Sequence, residues 1–183
     1  MPTGTVPDME EIADRMAIEQ VLNIHCRGVD RASEVDLKSA YWPEAEVAYG
    51  SFNGSAHSFC EMLPKGIARY RSTHHQLANI IVERLGADAV VESYVTAYHH
   101  QPEGAATEMT YFGRYVDHFQ KRDDVWKILF RHVVMDWNQN LTDSADLSGP
   151  TFSGLAKSGR EPDDPLYILK KNILKNKILG EQL

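Results

Sequence analysis

Three ionisable residues far apart in the sequence are of the types that proton abstraction requires. They are Asp30, His75 and Arg131, and each adjoins an apolar stretch. A neutral imidazole held by a carboxylate is a general base, and a nearby guanidinium stabilises an anion that leaves or develops. The combination predicts proton-abstraction chemistry that needs no cofactor.

Other interpretations of these residues remain open in the sequence. Asp30, two residues after a glycine, is also typical of a helix cap or a turn. His75 could be a hydrogen-bonded core histidine, and His74 beside it must point to the opposite face of a strand. Strict alternation puts Arg131 on one face with Lys127, and a bulge would change that. An arginine there either faces solvent or meets an anion, because burial of an unpaired charge is costly.

Two further side chains, His25 and Tyr98, are candidates for assisting the departure of a leaving group. His25 lies five residues before Asp30. Five helical residues turn through ~500° and leave the two side chains ~140° apart, so both reach one cavity only if the helix loosens at Gly28. An exposed position on the first helix is the alternative for His25.

Aromatic and imidazole side chains supply the candidates for substrate binding. By parity, Tyr94, Tyr98 and His100 share one face of a strand, which predicts a cavity wall, with outer-face packing in a dimer as the alternative. A concave sheet uses aromatic residues either for its core or for a substrate platform. The full set of candidates is Trp42, Tyr49, Tyr94, His100 and Phe112.

The hydrophobic pattern predicts helices first and strands afterwards. Apolar residues recur at helical spacing as far as Cys26, and acids cluster at the start of that stretch. A second short helix is expected to end before Pro43, and a third is expected to contain Pro64. Four β-type stretches with short connections then predict an antiparallel meander. The predicted helices cover residues 8–26, 35–42 and 58–71, and the predicted strands cover 45–49, 75–85, 89–100, 108–121 and 125–137, with a turn at 50–54.

This order predicts an α+β fold in which a strongly curved sheet carries its helices on one side and leaves a conical cavity between them. Residues 138–164 are rich in Ser, Gly, Pro and Asp, which is typical of loops. The apolar pattern of residues 166–178 marks an amphipathic helix, which we expect to act as a lid or a subunit contact. We therefore expect one domain at residues 1–138 and a C-terminal loop and tail at 139–183.

The composition argues against several classes of function. The 183 residues carry 26 acids and 19 bases, a formal net charge of −7, with no basic run outside the tail, so a nucleic-acid partner is not expected. Neither a signal-like start nor an apolar run of membrane-spanning length is present, which predicts a soluble, cytoplasmic protein with no membrane partner. Cys26 and Cys60 lack the spacing of a zinc or redox motif and are expected to be buried free thiols.

Eight histidines raise the question of a metal site. His75 and His100 with Asp30 would make a set of two histidines and one carboxylate. The sequence contains no His-Glu-x-x-His or Cys-x-x-Cys motif, no glycine-rich phosphate loop and no dinucleotide fingerprint. We therefore expect neither a metal nor another cofactor.

The joint spacing of these residues resembles the nuclear transport factor 2-like (NTF2-like) superfamily, and within it the SnoaL-like branch. That branch includes scytalone dehydratase, hexachlorocyclohexane dehydrochlorinase and bile acid 7α-dehydratase. The resemblance covers about residues 9–137 and implies a cone-shaped NTF2-like fold with a C-terminal extension. It places Asp30 and His75 where those enzymes carry a His-Asp dyad, and Arg131 at the arginine position of the dehydrochlorinase.

Two positions depart from the pattern of that branch. His25 stands where relatives have a lysine or a tyrosine, and Tyr98 stands where the bile acid enzyme has an aspartate. The resemblance implies a cofactor-independent lyase for a hydrophobic, aromatic, lignin-like small molecule. Such an enzyme would remove water, or release formaldehyde through a quinone methide as the diarylpropane γ-formaldehyde lyases do. A ketosteroid-type isomerase and a non-catalytic assembly or binding module are the alternatives, and a homodimer or homotrimer is expected for each.

Overall fold

The structure is a computed structural model that describes residues 4–102, 108–142, 144–145, 149–150 and 152–180. Within these residues the chain forms three helices in its first third, a six-stranded sheet and a C-terminal helix. The helices are α1 (Met9–Asp30), α2 (Glu34–Ser39), α3 (Ala56–Ile67) and α4 (Pro165–Gly180), and the strands are β1 (Tyr41–Tyr49), β2 (Phe52–Ser55), β3 (Ser72–Leu85), β4 (Asp88–His100), β5 (Glu108–Arg122) and β6 (Val125–Leu141).

The sheet is open and curved, and its strand order is β2-β1-β6-β5-β4-β3. Strands β3 to β6 form the predicted antiparallel meander, and β1 lies parallel to β6. Register shifts interrupt the β3–β4 pair after Ala78 and the β5–β6 pair after Phe112 and His118. Bulges bend and twist a strand, so these three sites help the sheet to curve around the helices.

The helices pack on one face of the sheet, as predicted. Ile18 and Leu22 of α1 and Phe59 of α3 are buried in one core cluster with Val91 of β4 and Phe119 of β5. Full burial of such a side chain contributes about 1.5–3 kcal/mol. The predicted α+β fold, with its curved sheet and helices on one side, is confirmed.

Helix α1 continues four residues beyond its predicted end and stops at Asp30. Gly28 does not interrupt it. The Ser33 N–H donates to the Gly28 carbonyl at 2.9 Å across Ala32, whose φ of 51° is left-handed. This is the Schellman pattern that closes a helix, and it fixes Asp30 in the last turn.

Gly28 allows α2 to approach α1 closely. A Cβ at this position would lie 2.9 Å from both Cγ and the backbone nitrogen of Leu37. Contacts under 3.0 Å do not occur for real Cβ atoms unless a neighbour moves. Gly28 therefore allows α1 and α2 to pack closely, and it does not disrupt the helical conformation of α1.

The second predicted helix was wrong beyond residue 39, because Trp42 and Pro43 belong to strand β1. Strand β1 pairs with β6 at Tyr41 and next at Glu46, with a register shift between them. Pro43 lies in this gap, so its missing N–H removes no hydrogen bond from that pairing. Pro43, which the sequence suggested as the residue that stops a helix, thus lies inside a strand.

Other element bounds also differ from the predicted ones. The predicted turn at residues 50–54 contains β2, which pairs back on β1. Helix α3 ends at Ile67 and not at residue 71, and β6 runs to Leu141 and not to 137. The predicted connection at residues 102–104 and the loop at 138–164 lie partly outside the described residues. In the described part of the chain, no helix is both long and apolar enough to cross a membrane.

We expect Gly28→Ala to destabilise the fold by about 1–3 kcal/mol, because the added methyl group overpacks the contact with Leu37. Gly66→Ala in α3 is the matched control, since its Cβ would have no atom within 4 Å. Replacing that helical glycine should stabilise by about 0.4–1 kcal/mol. Urea unfolding of both variants measures the difference, and equal stabilities would contradict the role assigned to Gly28.

Candidate active site

Asp30 and His75, which the sequence places 45 residues apart, form a pair joined by two hydrogen bonds. His75 Nδ1 lies 2.7 Å from Asp30 Oδ1, and the backbone N–H of His75 donates to Asp30 Oδ2 at 2.9 Å. Both side chains are almost fully buried, with exposures of 3% for His75 and 10% for Asp30. One carboxylate thus holds the ring and the backbone of the same residue.

The ionisation of Asp30 sets the tautomer of His75. Burial by itself raises the pKa of the Asp30 carboxyl, but hydrogen bonds from His75 and Thr73 outweigh it and hold that pKa below 3.8. An ionised carboxylate only accepts hydrogen bonds, so the ring proton resides on Nδ1. Nε2 is left with a lone pair, which is the form a general base needs.

His75 lines a cavity of about 320 Å³ between the helices and the sheet. The wall is mainly apolar and aromatic, with Val29 from α1, Ile67 from α3, and Ala97 and Val133 from the sheet. Arg69 is the one charged side chain in this lining and is exposed at its edge. The rings in the lining are Tyr49, Tyr70, His75, His99, Tyr111 and Tyr115.

His99 is a cavity residue that the sequence reasoning missed. Its ring centroid lies 5.6 Å from that of His75 and 4.8 Å from that of Tyr70. Burial, and next the adjacent His75, lower the pKa of His99 to about 4. The neutral ring donates from Nδ1 to the Ala97 carbonyl at 3.1 Å.

The predicted cavity wall on β4 was placed on the wrong face. Tyr94 and Tyr98 are 41% and 46% exposed on the outer face, whereas Ala97 and His99 of the opposite parity line the cavity. His100 lies beside Glu108, with 3.8 Å between Nε2 and Oε1. These side chains therefore stand outside the cavity in which His75 lies.

Two other predicted contacts also lie elsewhere. Phe112 stacks on Trp137 with 4.7 Å between ring centroids and is absent from the cavity lining. The indole N–H of Trp42 donates to the Gln120 carbonyl at 3.0 Å, and the Arg122 guanidinium lies 4.5 Å above its ring. Of the five predicted substrate contacts, the structure places Tyr49 in the lining.

Arg131 is completely buried and does not line the cavity itself. Its guanidinium forms a bidentate pair with Asp117 at 2.8 and 2.6 Å and lies 4.0 Å from the ring centroid of Tyr115. An extra residue, Leu129, in the β5–β6 pairing turns Arg131 to the inner face, as the bulge alternative anticipated. Tyr115, which does line the cavity, stands over this charge.

His25 lies in the same buried layer as Arg131. Its Nδ1 is 3.3 Å from the Tyr41 hydroxyl, and its ring meets Tyr115 edge-on with centroids 5.7 Å apart. Burial, and next the charge of Arg131, hold the pKa of His25 well below 6.5. Because α1 stays helical through Gly28, His25 and Asp30 diverge, and the cavity lining does not include His25.

No group of three or more His, Cys, Asp or Glu side chains within the described residues is arranged to hold a metal ion. The sequence suggested His75, His100 and Asp30 as a candidate metal set. In the sheet, His75 pairs with Ala97, and His100 has the opposite parity to Ala97, so the two histidines point to opposite faces. Cys26 and Cys60 are buried free thiols, as expected. The chemistry that the site offers therefore comes from the Asp30–His75 pair and the rings around it.

We expect the free energy of unfolding to fall as the pH decreases from 6.5 towards 4. The folded pKa of His99 lies below its unfolded value, so the unfolded chain binds the extra proton in this window and gains stability relative to the folded one. His99→Asn keeps a donor for the Ala97 carbonyl and cannot titrate, so its stability should decline less steeply. Urea unfolding at pH 7, 6 and 5 measures the slopes, with the exposed His132→Asn as control. Parallel curves for wild type and His99→Asn would contradict this assignment.

Comparison with known proteins identifies the family. A model of the SnoaL-like domain matches residues 10–132, which include Asp30 and His75. No curated protein matches the chain.

Solved structures show the same fold at low sequence identity. A type 2 hexachlorocyclohexane dehydrochlorinase has a TM-score of 0.68 and 22% identity over 81% of this chain and 100% of its own. A type 3 dehydrochlorinase from Novosphingobium barchaimii gives 0.68 and 22% over 79% and 100%. A protein assigned as a scytalone dehydratase from Novosphingobium aromaticivorans gives 0.65 and 23% over 80% and 97%. These likenesses concern the fold, and the domain match gives the family: the chain belongs to the SnoaL-like, NTF2-like proteins.

Proposed function

We propose that this protein is a cofactor-independent lyase that uses His75 as its general base. The observation that carries the proposal is the Asp30–His75 pair, which is joined by two hydrogen bonds. The imidazole of this pair lines an apolar, aromatic cavity. Elimination is also the reaction in the names of the dehydrochlorinase and dehydratase neighbours.

The proposed reaction begins with removal of a substrate proton by Nε2 of His75. The ring becomes an imidazolium, and the Asp30 carboxylate stabilises it across the Nδ1–H bond. The electron pair of the broken bond forms a new double bond, and the leaving group departs with its own bonding pair. Such acid-base catalysis contributes about 10²–10⁴-fold, and positioning in the cavity adds to it.

Tyr115 is the candidate for assisting the leaving group. Burial raises the pKa of its hydroxyl well above 10, so Tyr115 stays a proton donor in the cavity. Arg131 lies 4.0 Å from its ring centroid, where it favours any negative charge that develops on the phenol oxygen. The sequence suggested Arg131, His25 and Tyr98 as groups that assist the leaving group. In this proposal Arg131 and His25 do not touch the substrate, because neither lines the cavity, and Tyr98 on the outer face has no role.

The proposed substrate is a compact aromatic molecule of the lignin-derived type. The cavity volume of about 320 Å³ is at the lower end of ligand pockets, which span roughly 300–1,000 Å³. A phenolic substrate would lose its phenol proton to His75 and a benzylic hydroxide as leaving group, giving a quinone methide. The His75 imidazolium gives its proton to the departing hydroxide, which leaves as water, and the regenerated base then deprotonates a neighbouring hydroxymethyl group. The carbon–carbon bonding pair moves into the quinone methide, which restores the phenolate and releases formaldehyde.

We expect the purified, metal-stripped protein to produce new ultraviolet absorbance from hydroxylated diaryl compounds, scytalone-like ketols or steroid-like alcohols. His75→Ala should abolish this signal, whereas the adjacent His74→Ala should keep it, because His74 is exposed and lies beside Tyr98 on the other face. Trapping of formaldehyde separates carbon–carbon cleavage from dehydration. Full turnover by His75→Ala would remove the proposed base, and a product isomeric with the substrate would indicate an isomerase.

Asp30→Asn should lower kcat by about 10²–10⁴-fold, with little change in shape at the site. The amide NH₂ of asparagine can donate to Nδ1, which moves the ring proton to Nε2 and removes the lone pair. Steady-state kinetics on the substrate found above measures the loss, and circular dichroism checks the fold. A variant with the wild-type rate would show that the carboxylate does not set the tautomer.

A further inference from the structure

The segment after β6 returns to the end of α1 that carries Asp30. The backbone N–H of Glu161 donates to the Arg31 carbonyl at 2.7 Å. The Tyr167 hydroxyl donates to Asp36 Oδ2 at 3.1 Å. Residues 159–167 are therefore bound to the helical side of the fold, although they lie outside the region that the family match covers.

Asp164 fixes the shape of this segment. Its carboxylate accepts hydrogen bonds from the backbone N–H of Gly159 at 2.8 Å and of Leu166 at 3.0 Å, and it lies 3.4 Å from Arg31 Nε. Asp164 is itself buried. The turn that it closes holds Arg160 against the domain.

The Arg160 guanidinium joins three elements around the catalytic pair. It donates to the carbonyl of Asp30 at the end of α1 and, at 3.2 Å, to the hydroxyl of Thr73 in β3. It also donates at 3.2 Å to the carbonyl of Ile67, the last residue of α3, and at 3.2 Å to that of Tyr70 just beyond it. Ile67 and Tyr70 line the cavity, so one side chain contacts the backbone of both Asp30 and the cavity wall.

Thr73 is a contact of Arg160 that also acts on Asp30. Its hydroxyl oxygen accepts a hydrogen bond from Arg160, so the one proton of the hydroxyl stays available for another acceptor. The same hydroxyl is among the groups that lower the pKa of the Asp30 carboxyl. Arg160 therefore acts on Asp30 directly, at its carbonyl, and also through Thr73.

We propose that Arg160 is a positioning residue for the Asp30–His75 pair, supplied by a C-terminal segment outside the residues that the family model matches. The structural part of this inference stands on the contacts alone, and its effect on turnover rests on the proposed function. Arg160 touches neither the cavity nor the reacting atoms, so it acts through Asp30, Thr73 and the carbonyls that it binds.

The test compares Arg160→Met and Arg160→Lys with Arg114→Met in the full chain. Arg114 is a matched control, since it is a partly buried arginine paired with Glu92 at 2.6 Å on the outer face of the sheet, away from residues 159–167. The first readout is the proton NMR resonance of the His75 Nδ1–H, assigned by its absence in His75→Gln. The second is kcat on the substrate identified above.

Arg160→Met should broaden or remove the Nδ1–H resonance and lower kcat by about 100-fold, the order of loss that a misplacement of about 1 Å causes. Arg160→Lys should recover part of both, and Arg114→Met should match wild type. A wild-type resonance in a folded Arg160→Met would overturn the proposal and leave the segment as a simple anchor.

If Arg160→Met does not fold, Arg160→Lys decides the question. A weakened Nδ1–H resonance relative to Arg114→Met supports positioning, and an unchanged one overturns it. If wild type turns over no substrate, the proposed function fails, and the NMR comparison still gives the answer on positioning.

Discussion

The site depends on the two hydrogen bonds by which one carboxylate, that of Asp30, holds the ring and the backbone of His75. Both bonds form only if α1 ends at the right residue and β3 keeps its register against β4, where His75 faces Ala97. A register slip of one residue would exchange His75 for His74 and move the base to the outer face. The carboxylate is therefore both a part of the proposed active site and a constraint on how helix and strand meet.

The same constraint explains several local features of the helical side. The Schellman closure places Asp30 in the final turn of α1, and Gly28 allows α2 to cross where a side chain would collide with Leu37. Asp30 then has several partners: His75 binds its carboxylate, Thr73 helps to lower the pKa of that carboxyl, and Arg160 binds its carbonyl. A buried carboxylate needs such partners, because burial without them favours its neutral form.

The fold class and the order of most elements could be predicted from the sequence, because hydrophobic periodicity carries that information. The pairing of Asp30 with His75 was implied by the resemblance to the SnoaL-like branch and not by periodicity. The face of β4 could not be predicted, since both parities contain rings and hydroxyls. One signal was available: the parity of Tyr98 also contains Glu92, whose carboxylate binds Arg114 on the outside, whereas the other parity contains Val91 and Ala97. Small residues on the inner face leave the space that the cavity occupies.

The inward turn of Arg131 and the position of Pro43 follow from irregular pairing, which residue patterns do not reveal. Strict alternation along β6 would put Arg131 outside, and the extra residue Leu129 reverses the parity. Pro43 breaks the helical pattern, yet it fits a strand because β1 and β6 are out of register there. Arg160 lies in a stretch whose composition indicates only a loop, and its function becomes visible once the chain folds back onto Asp30.

Most full charges near the cavity lie one layer behind its wall. Asp30 lies behind His75, Arg131 with Asp117 lies beneath Tyr115, and Arg160 lies behind Asp30. The wall itself is nearly neutral, so an apolar molecule can enter without displacing strongly bound water. The charges behind it act through a medium of low polarity, in which a fixed charge has a larger effect on a proton in transfer than it would in water. For the proposed reaction, this separation combines an apolar cavity with nearby charges that favour the movement of charge within it.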